Sequence, residues 1–213
     1  MKRRKYLSIV AFPEACLKRH GDNYLGVGWT KSKEDADTRY QVMLEVIKRN
    51  TDRAQDKISL LDFGCGASHL YEYMLKNQIK DVDYSGLDLS DEFIRLSKKK
   101  FPNLNYYHGD ILEDSIELPL FDYIVINGVF TAKCDLSFNE MLEFFQKVVS
   151  RVFQNARVGI AFNVMSKKVD WERDDLFHLP FDMLASFLSQ KLSRNFVIRH
   201  DYRLYEYTTY VYR

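Results

Sequence analysis

The sequence predicts an α/β fold: a mostly parallel sheet with helices on both faces, ending in an antiparallel strand pair. Three observations predict it. Between about residues 34 and 164, short apolar runs alternate with stretches of helical spacing. The runs are apolar almost throughout rather than at every second position, the pattern of strands buried on both faces. Residues 196–213 then hold two β-branched, aromatic runs with almost nothing between them, which reads as a hairpin. A chain of 213 residues, 46% hydrophobic and 29% charged, has the balance of one that folds around a core. Its length fits one domain, residues 1–213.

Residues 1–33 contain Pro13, Gly21, Gly26 and Gly28 among aromatics such as Tyr24 and Trp29. They show no clean period and read as a loop-rich lead-in or cap over a core of residues 34–213. From 34 to 49, Ala36, Tyr40, Met43, Leu44 and Ile47 recur at three- and four-residue steps, so they share one helical face. ISLLDF (58–63) reads as the first strand, and HLYEYMLK (69–76) has helical spacing. VDYSGLDL (82–89) is the second strand; Ser90, followed by Asp91 and Glu92, caps a helix running to about Lys100. LNYYHGD (104–110) and FDYIVING (121–128) are the third and fourth strands. Met141, Phe145, Val148 and Val152 stripe a helix over 138–153, and RVGIAFNV (157–164) is the fifth strand. Each crossover helix between parallel strands must bury one face on the sheet.

A formal net charge of +1 gives no general footprint for nucleic acid, although MKRRK (1–5) is locally basic. Cys16, Cys65 and Cys134 lack metal-ligand or disulfide spacing, so free thiols and no metal site are expected. No apolar run approaches the roughly 20 residues of a membrane span, and no signal segment is evident. A cytoplasmic protein without membrane or nucleic-acid partners is expected.

The stretch LLDFGCGASHL (60–70) runs a buried strand into a glycine turn. In an open parallel sheet, ligands bind outside the carboxyl ends of the strands where the strand order reverses. Gly64 and Gly66 let the backbone turn tightly and be approached closely. Asp62, two positions earlier, would repel a pyrophosphate and attract an ammonium or sulfonium, which disfavours a dinucleotide. Asp88, at the end of the second strand, stands where an acid accepts both hydroxyls of a ribose. Asp110, at the end of the third, can accept from an adenine amino group while the Ile111 amide reads a ring nitrogen. Three acids around a glycine turn describe a pocket for a positively charged adenosine derivative, S-adenosylmethionine.

At these residues the chain resembles the class I S-adenosylmethionine-dependent methyltransferases. LLDFGCGAS resembles the family's first motif, GLDLS its acidic second, GDILE its third and FDYIVINGVF its fourth, in the family's order. The resemblance implies a Rossmann-like sheet of seven strands. It implies that Asp62, Gly64, Cys65 and Gly66 lie along the methionine part, Asp88 and Leu89 at the ribose and Asp110 and Ile111 at the adenine. The Asn127 region would face the cofactor's reactive end. Where the family often has a further glycine, this chain has Ser68.

The acceptor is read from segments outside the sheet. The fourth strand ends in ING-VF, without the Asn/Asp-Pro-Pro-aromatic pattern with which relatives hold the planar nitrogen of a base. A small-molecule oxygen or nitrogen is the leading acceptor; a protein or RNA, and a module that binds the cofactor without catalysis, are the alternatives. Trp29 in the lead-in, Phe130, and Trp171 in the insert of residues 166–180 are candidate substrate contacts. His178 is a candidate general base. Arg39, on the helix before the first strand, can pair with the methionine carboxylate. Oligomeric state is not legible.

Overall fold

The computed structural model describes residues 5–29, 32–48, 57–113 and 116–213. A 3-10 turn (Lys5–Leu7) leads into α1 (Ser8–His20) and α2 (Lys33–Leu44). Then follow β1 (Ile58–Phe63), α3 (His69–Lys76), β2 (Val82–Asp88), α4 (Asp91–Lys100), β3 (Asn105–His108) and β4 (Phe121–Phe130). The chain closes with α5 (Phe138–Gln154), β5 (Ala156–Met165), α6 (Phe181–Lys191), β6 (Phe196–Arg199) and β7 (Glu206–Tyr212). The seven strands form one sheet in the order β3-β2-β1-β4-β5-β7-β6. Strands β1 to β5 pair in parallel, and β7 runs antiparallel to both β5 and β6. The sheet expected from the apolar runs and the terminal hairpin is present.

Alternation along the strands builds two cores, because successive side chains point to opposite faces. Leu61, Ile124, Ile126, Ile160, Phe162 and Val211 join one face with Phe145 and Val149 of α5 and Leu188 of α6. Leu60, Tyr123, Val125, Ala161, Tyr210 and Tyr212 join the other, under Ala36 and Tyr40 of α2 and Leu70 and Met74 of α3. The hairpin tyrosines also tie the sheet to α2 and the turn after it: Tyr210 Oη donates to the Val42 carbonyl at 2.6 Å and Tyr212 Oη to that of Val46 at 3.2 Å.

Local signals match the helix starts. The Ser90 hydroxyl accepts from the Phe93 amide, and Ser137 forms a capping box with Glu140. Two helices depart from the expectation. The lead-in is not loop-rich: it holds the 13 residues of α1, with Pro13 inside. None of them is buried, and the weak stripe of Ile9, Pro13, Cys16 and Leu17, half-buried at helical spacing, is interrupted by a proline that reads as a breaker. Residues 181–191, between the insert and the hairpin, form α6, whose Leu184, Phe187 and Leu188 are buried. The hairpin strands are also shorter than their apolar runs, separated by residues 200–205. Of the basic tip, residues 1–4 lie outside the described residues, while Lys5 Nζ pairs with Glu140 at 2.6 Å. No helix among the described residues is long and apolar enough to cross a membrane.

Candidate functional site

The strand order reverses between β2-β1 and β4-β5, so the carboxyl end of β1 opens at the switch point. A cavity of about 750 Å³ lies there, within the roughly 300–1,000 Å³ of small-molecule sites. Asp62, Gly64, Cys65 and Gly66 line it from the β1–α3 turn, Asp88 and Leu89 from the end of β2, and Asp110 and Ile111 from the end of β3. Asn127 lines it from β4, with Arg39 from α2 and Trp29 from the loop before it.

The glycine turn requires its glycines. Gly64 has φ +76° and an added Cβ would stand 2.4 Å from Val129 Cγ2, while Gly66 has φ +51°. Ser68 also adopts the left-handed region, at φ 58° and ψ 35°, directly before α3. Its hydroxyl donates to Ser97 Oγ at 2.9 Å, Tyr106 Oη lies 2.9 Å from it, and Ser97 Oγ donates to the Gly66 carbonyl at 2.8 Å. The left-handed Ser68 is thus held by side-chain hydroxyls that reach back to the turn itself.

The acids are fixed by short bonds. Asp88 Oδ2 accepts from the Gly66 amide and Oδ1 from the Ser90 amide, both at 2.8 Å. Burial raises its pKa against the effect of those amides. Asp62 accepts from Tyr84 Oη at 2.8 Å. Burial pushes the Asp62 carboxyl up to about 7, opposed by the Tyr84 hydroxyl and reinforced by the negative charge of Asp88. A buried carboxyl at this value is poised to ionise when a cation arrives beside it. Asp110 Oδ1 accepts from the Leu112 amide at 2.9 Å and Oδ2 from Tyr6 Oη at 2.6 Å. The neighbouring Ile111 amide has no partner among the described residues. An acceptor beside an unpaired donor fits the amino group and ring nitrogen of adenine, so the residues present fit the adenosine cofactor.

Arg39 is partly engaged. Its Nε donates to Glu206 Oε1 at 2.8 Å, and its guanidinium lies 4.3 Å from the Trp29 ring centroid. Its terminal nitrogens have no partner among the described residues, which leaves them available to a carboxylate. Glu206 Oε1 also accepts from Asn163 Nδ2 at 2.8 Å, and Asn163 Oδ1 accepts from the Gly128 amide at 2.8 Å. Asn163 Nδ2 reaches Asn127 Oδ1 at 3.2 Å, so a polar chain crosses from α2 through β7 and β5 to the end of β4.

Two residues do not fill the roles expected of them. Phe130 is fully buried, with its ring edge-on to Phe145 at 5.0 Å, so it belongs to the core and does not face a substrate. His178 does border the cavity, but both its ring nitrogens are engaged. Nδ1 donates to the Ser166 carbonyl at 2.6 Å, and Nε2 accepts from the Arg173 amide at 3.2 Å. In this arrangement neither nitrogen is free to take a substrate proton; His178 clips the insert to the end of β5. Trp171 is 71% exposed at the cavity mouth.

Sequence reasoning missed Tyr6, Tyr84, Asn163 and Glu206. Of these, Asn163 carries a legible signal, a polar group near the end of an otherwise apolar run, which must find a partner when buried. Tyr6 carries none, because its segment has no period.

A family profile described as a methyltransferase domain matches residues 61–158, from β1 to the start of β5. A Mycobacterium tuberculosis protein described as a methyltransferase, Rv1506c, is 27% identical over 163 residues, covering 74% of this chain and 95% of its own. Among solved structures, magnesium protoporphyrin IX methyltransferase (ChlM) of Synechocystis PCC 6803 with bound SAM aligns at a TM-score of 0.65 and 13% identity, over 100% of this chain and 98% of its own. The plantazolicin methyltransferase BamL, bound to a desmethyl analogue and SAH, aligns at 0.67 and 10% identity, over 99% and 97%. The solved structures support the fold, and the profile and the mycobacterial relative support the chemistry. With acids at the ends of β1, β2 and β3 around one glycine turn, these matches support a class I S-adenosylmethionine-dependent methyltransferase.

Proposed function

We propose that the chain transfers the methyl group of S-adenosylmethionine to an oxygen or nitrogen of a small molecule. The observation that carries this reading is the extent of the cavity: beyond the acids it continues between Thr131, Asp135, Trp171, Leu176 and Tyr205, none of which belongs to the glycine turn or the strand-end acids. That second half is the acceptor site. ChlM and BamL are named for magnesium protoporphyrin IX and plantazolicin, which supports a small-molecule acceptor without identifying it.

When bound, the cofactor supplies a methyl group on a sulfonium, together with its leaving group. The protein's part is alignment and exclusion of water. Asp88 takes the ribose hydroxyls, with its oxygens already fixed by the Gly66 and Ser90 amides. Asp110 and the Ile111 amide take the adenine, Arg39 the carboxylate, and Asp62 offers negative charge near the methionine part. Trp29, stacked under Arg39, closes one wall and Trp171 shades the mouth. With both His178 nitrogens engaged, no base is assigned to it. An amine attacks through its own lone pair, whereas a hydroxyl must lose a proton.

The test is formation of S-adenosylhomocysteine with a panel that pairs amines with matching alcohols and phenols. Turnover that depends on one class of acceptor is expected. Tight cofactor binding with no turnover on any acceptor would leave a binding module instead.

A further inference from the structure

We propose that Tyr6 is a positioning residue of the cofactor site: its hydroxyl orients Asp110 for the adenine amino group, so the N-terminal segment completes the site. The proposal rests on the placement of adenine at Asp110 and Ile111. The matched methyltransferase domain begins at residue 61, so Tyr6 lies outside it.

Tyr6 and Asp110 are separated by 104 positions yet joined at 2.6 Å. Because the Leu112 amide holds the other Asp110 oxygen at 2.9 Å, the carboxylate is fixed at both ends and cannot rotate about its Cβ–Cγ bond without breaking a hydrogen bond. An ionised carboxylate has about four acceptor positions, so two remain after these bonds. One of them and the Ile111 amide form an acceptor and a donor side by side. Adenine offers the complementary amino group and bare ring nitrogen. Hypoxanthine offers a carbonyl oxygen and a ring N–H, so the same pair repels it.

Tyr6 is itself held in place. Its ring stacks on Phe144 of α5 with centroids 5.0 Å apart and planes 18° from parallel. The following helix continues over the site: Ile9, Phe12 and Pro13 line the cavity, and Glu14 Oε1 accepts from Ser90 Oγ at 2.5 Å, two residues beyond Asp88. No residue of α1 is fully buried, and Tyr6 and Ile9 pack against the edge of the core. Two polar side chains of this segment, Tyr6 and Glu14, reach the adenine acid and the cap beside the ribose acid.

The experiment compares S-adenosylhomocysteine with S-inosylhomocysteine, its hypoxanthine counterpart, by calorimetry on the full chain and on Tyr6→Phe. The wild-type chain binds the adenine compound at least about tenfold more tightly, because the site's donor and acceptor oppose hypoxanthine. Tyr6→Phe lowers affinity for the adenine compound about 5- to 20-fold, the loss of one hydrogen bond to a charged group, and leaves the hypoxanthine compound nearly unchanged. In an Asp110→Asn background, Tyr6→Phe has little further effect. An unchanged affinity, an equal loss for both purines, or tighter binding of the adenine compound by Tyr6→Phe would overturn the assignment; the last would make Tyr6 a competitor of adenine. If the wild-type chain binds neither compound, the cofactor reading falls first and the Tyr6 assignment with it.

Discussion

The Gly66 amide donates to Asp88 Oδ2 at 2.8 Å, which makes the glycine turn and the acid at the end of β2 one structural unit. The turn therefore does more than leave room for a ligand. It orients the carboxylate proposed to hold the ribose, while the Ser90 amide fixes the other oxygen and the Ser90 hydroxyl caps α4. Pre-orientation of this kind reduces what a ligand must order on binding.

Asp88→Ala removes the partner of two backbone amides and the proposed ribose acceptor at once. Affinity for S-adenosylhomocysteine should fall by about 1–3 kcal/mol for each charged hydrogen-bonding group lost. Thermal stability should fall as well, because the Gly66 and Ser90 amides lose their acceptor. Calorimetry and thermal unfolding separate the two effects; unchanged affinity in a destabilised variant would remove Asp88 from the ribose.

Asp62 predicts a pH dependence with a definite sign. Its folded pKa, about 7, lies above the ordinary carboxyl value, so its stability contribution is full below the unfolded pKa and is lost as pH rises through about 7. A cationic cofactor beside it favours the ionised form, so binding below pH 7 releases a proton. Affinity for S-adenosylmethionine should rise between pH 6 and 8, by up to about tenfold per unit below the folded pKa. Calorimetry at pH 6.5 in two buffers of different ionisation enthalpy reads the proton directly. Asp62→Asn should flatten the dependence, and a slope that survives this change belongs to another group.

The strands and the three acids are legible because they obey position rules. Buried parallel strands are apolar throughout, and their last residues face the switch point. Position along the chain therefore suffices to bring Asp62, Asp88 and Asp110 to one cavity. What the sequence conceals is contact between distant segments. Tyr6 reaches Asp110 and Glu206 reaches Arg39 across the fold, and no periodicity encodes either pair. His178 misleads for the same reason: its chemistry is that of a base, but the Ser166 carbonyl and the Arg173 amide occupy both nitrogens. In α1 even the helix is hard to read, because its stripe of Ile9, Cys16 and Leu17 is only half-buried and runs through Pro13.

His178→Ala should therefore act on stability. Losing a buried ring that joins Ser166 to Arg173 leaves both backbone groups without their partner and costs about 1–3 kcal/mol, measured by denaturant unfolding. Affinity for S-adenosylhomocysteine should be retained. A large fall in turnover at unchanged stability would restore His178 to the chemistry.

Ser68 gives the sharpest test of the turn, because two effects of opposite sign meet there. At φ 58° a non-glycine residue carries a penalty of roughly 1–2 kcal/mol, which Ser68→Gly relieves and Ser68→Ala does not. Both variants lose the bond to Ser97 and leave the Tyr106 hydroxyl without that partner, a loss of about 1 kcal/mol or somewhat more in a buried site. Ser68→Gly should therefore lie close to the wild-type chain in stability, and Ser68→Ala below it by about the strain that glycine removes. The Ser97 hydroxyl still reaches the Gly66 carbonyl in either variant, so the turn should keep its shape and cofactor affinity should change little. Unfolding of the two variants side by side checks the order. If Ser68→Ala matched Ser68→Gly, the left-handed conformation would not be what sets the choice of residue at this position.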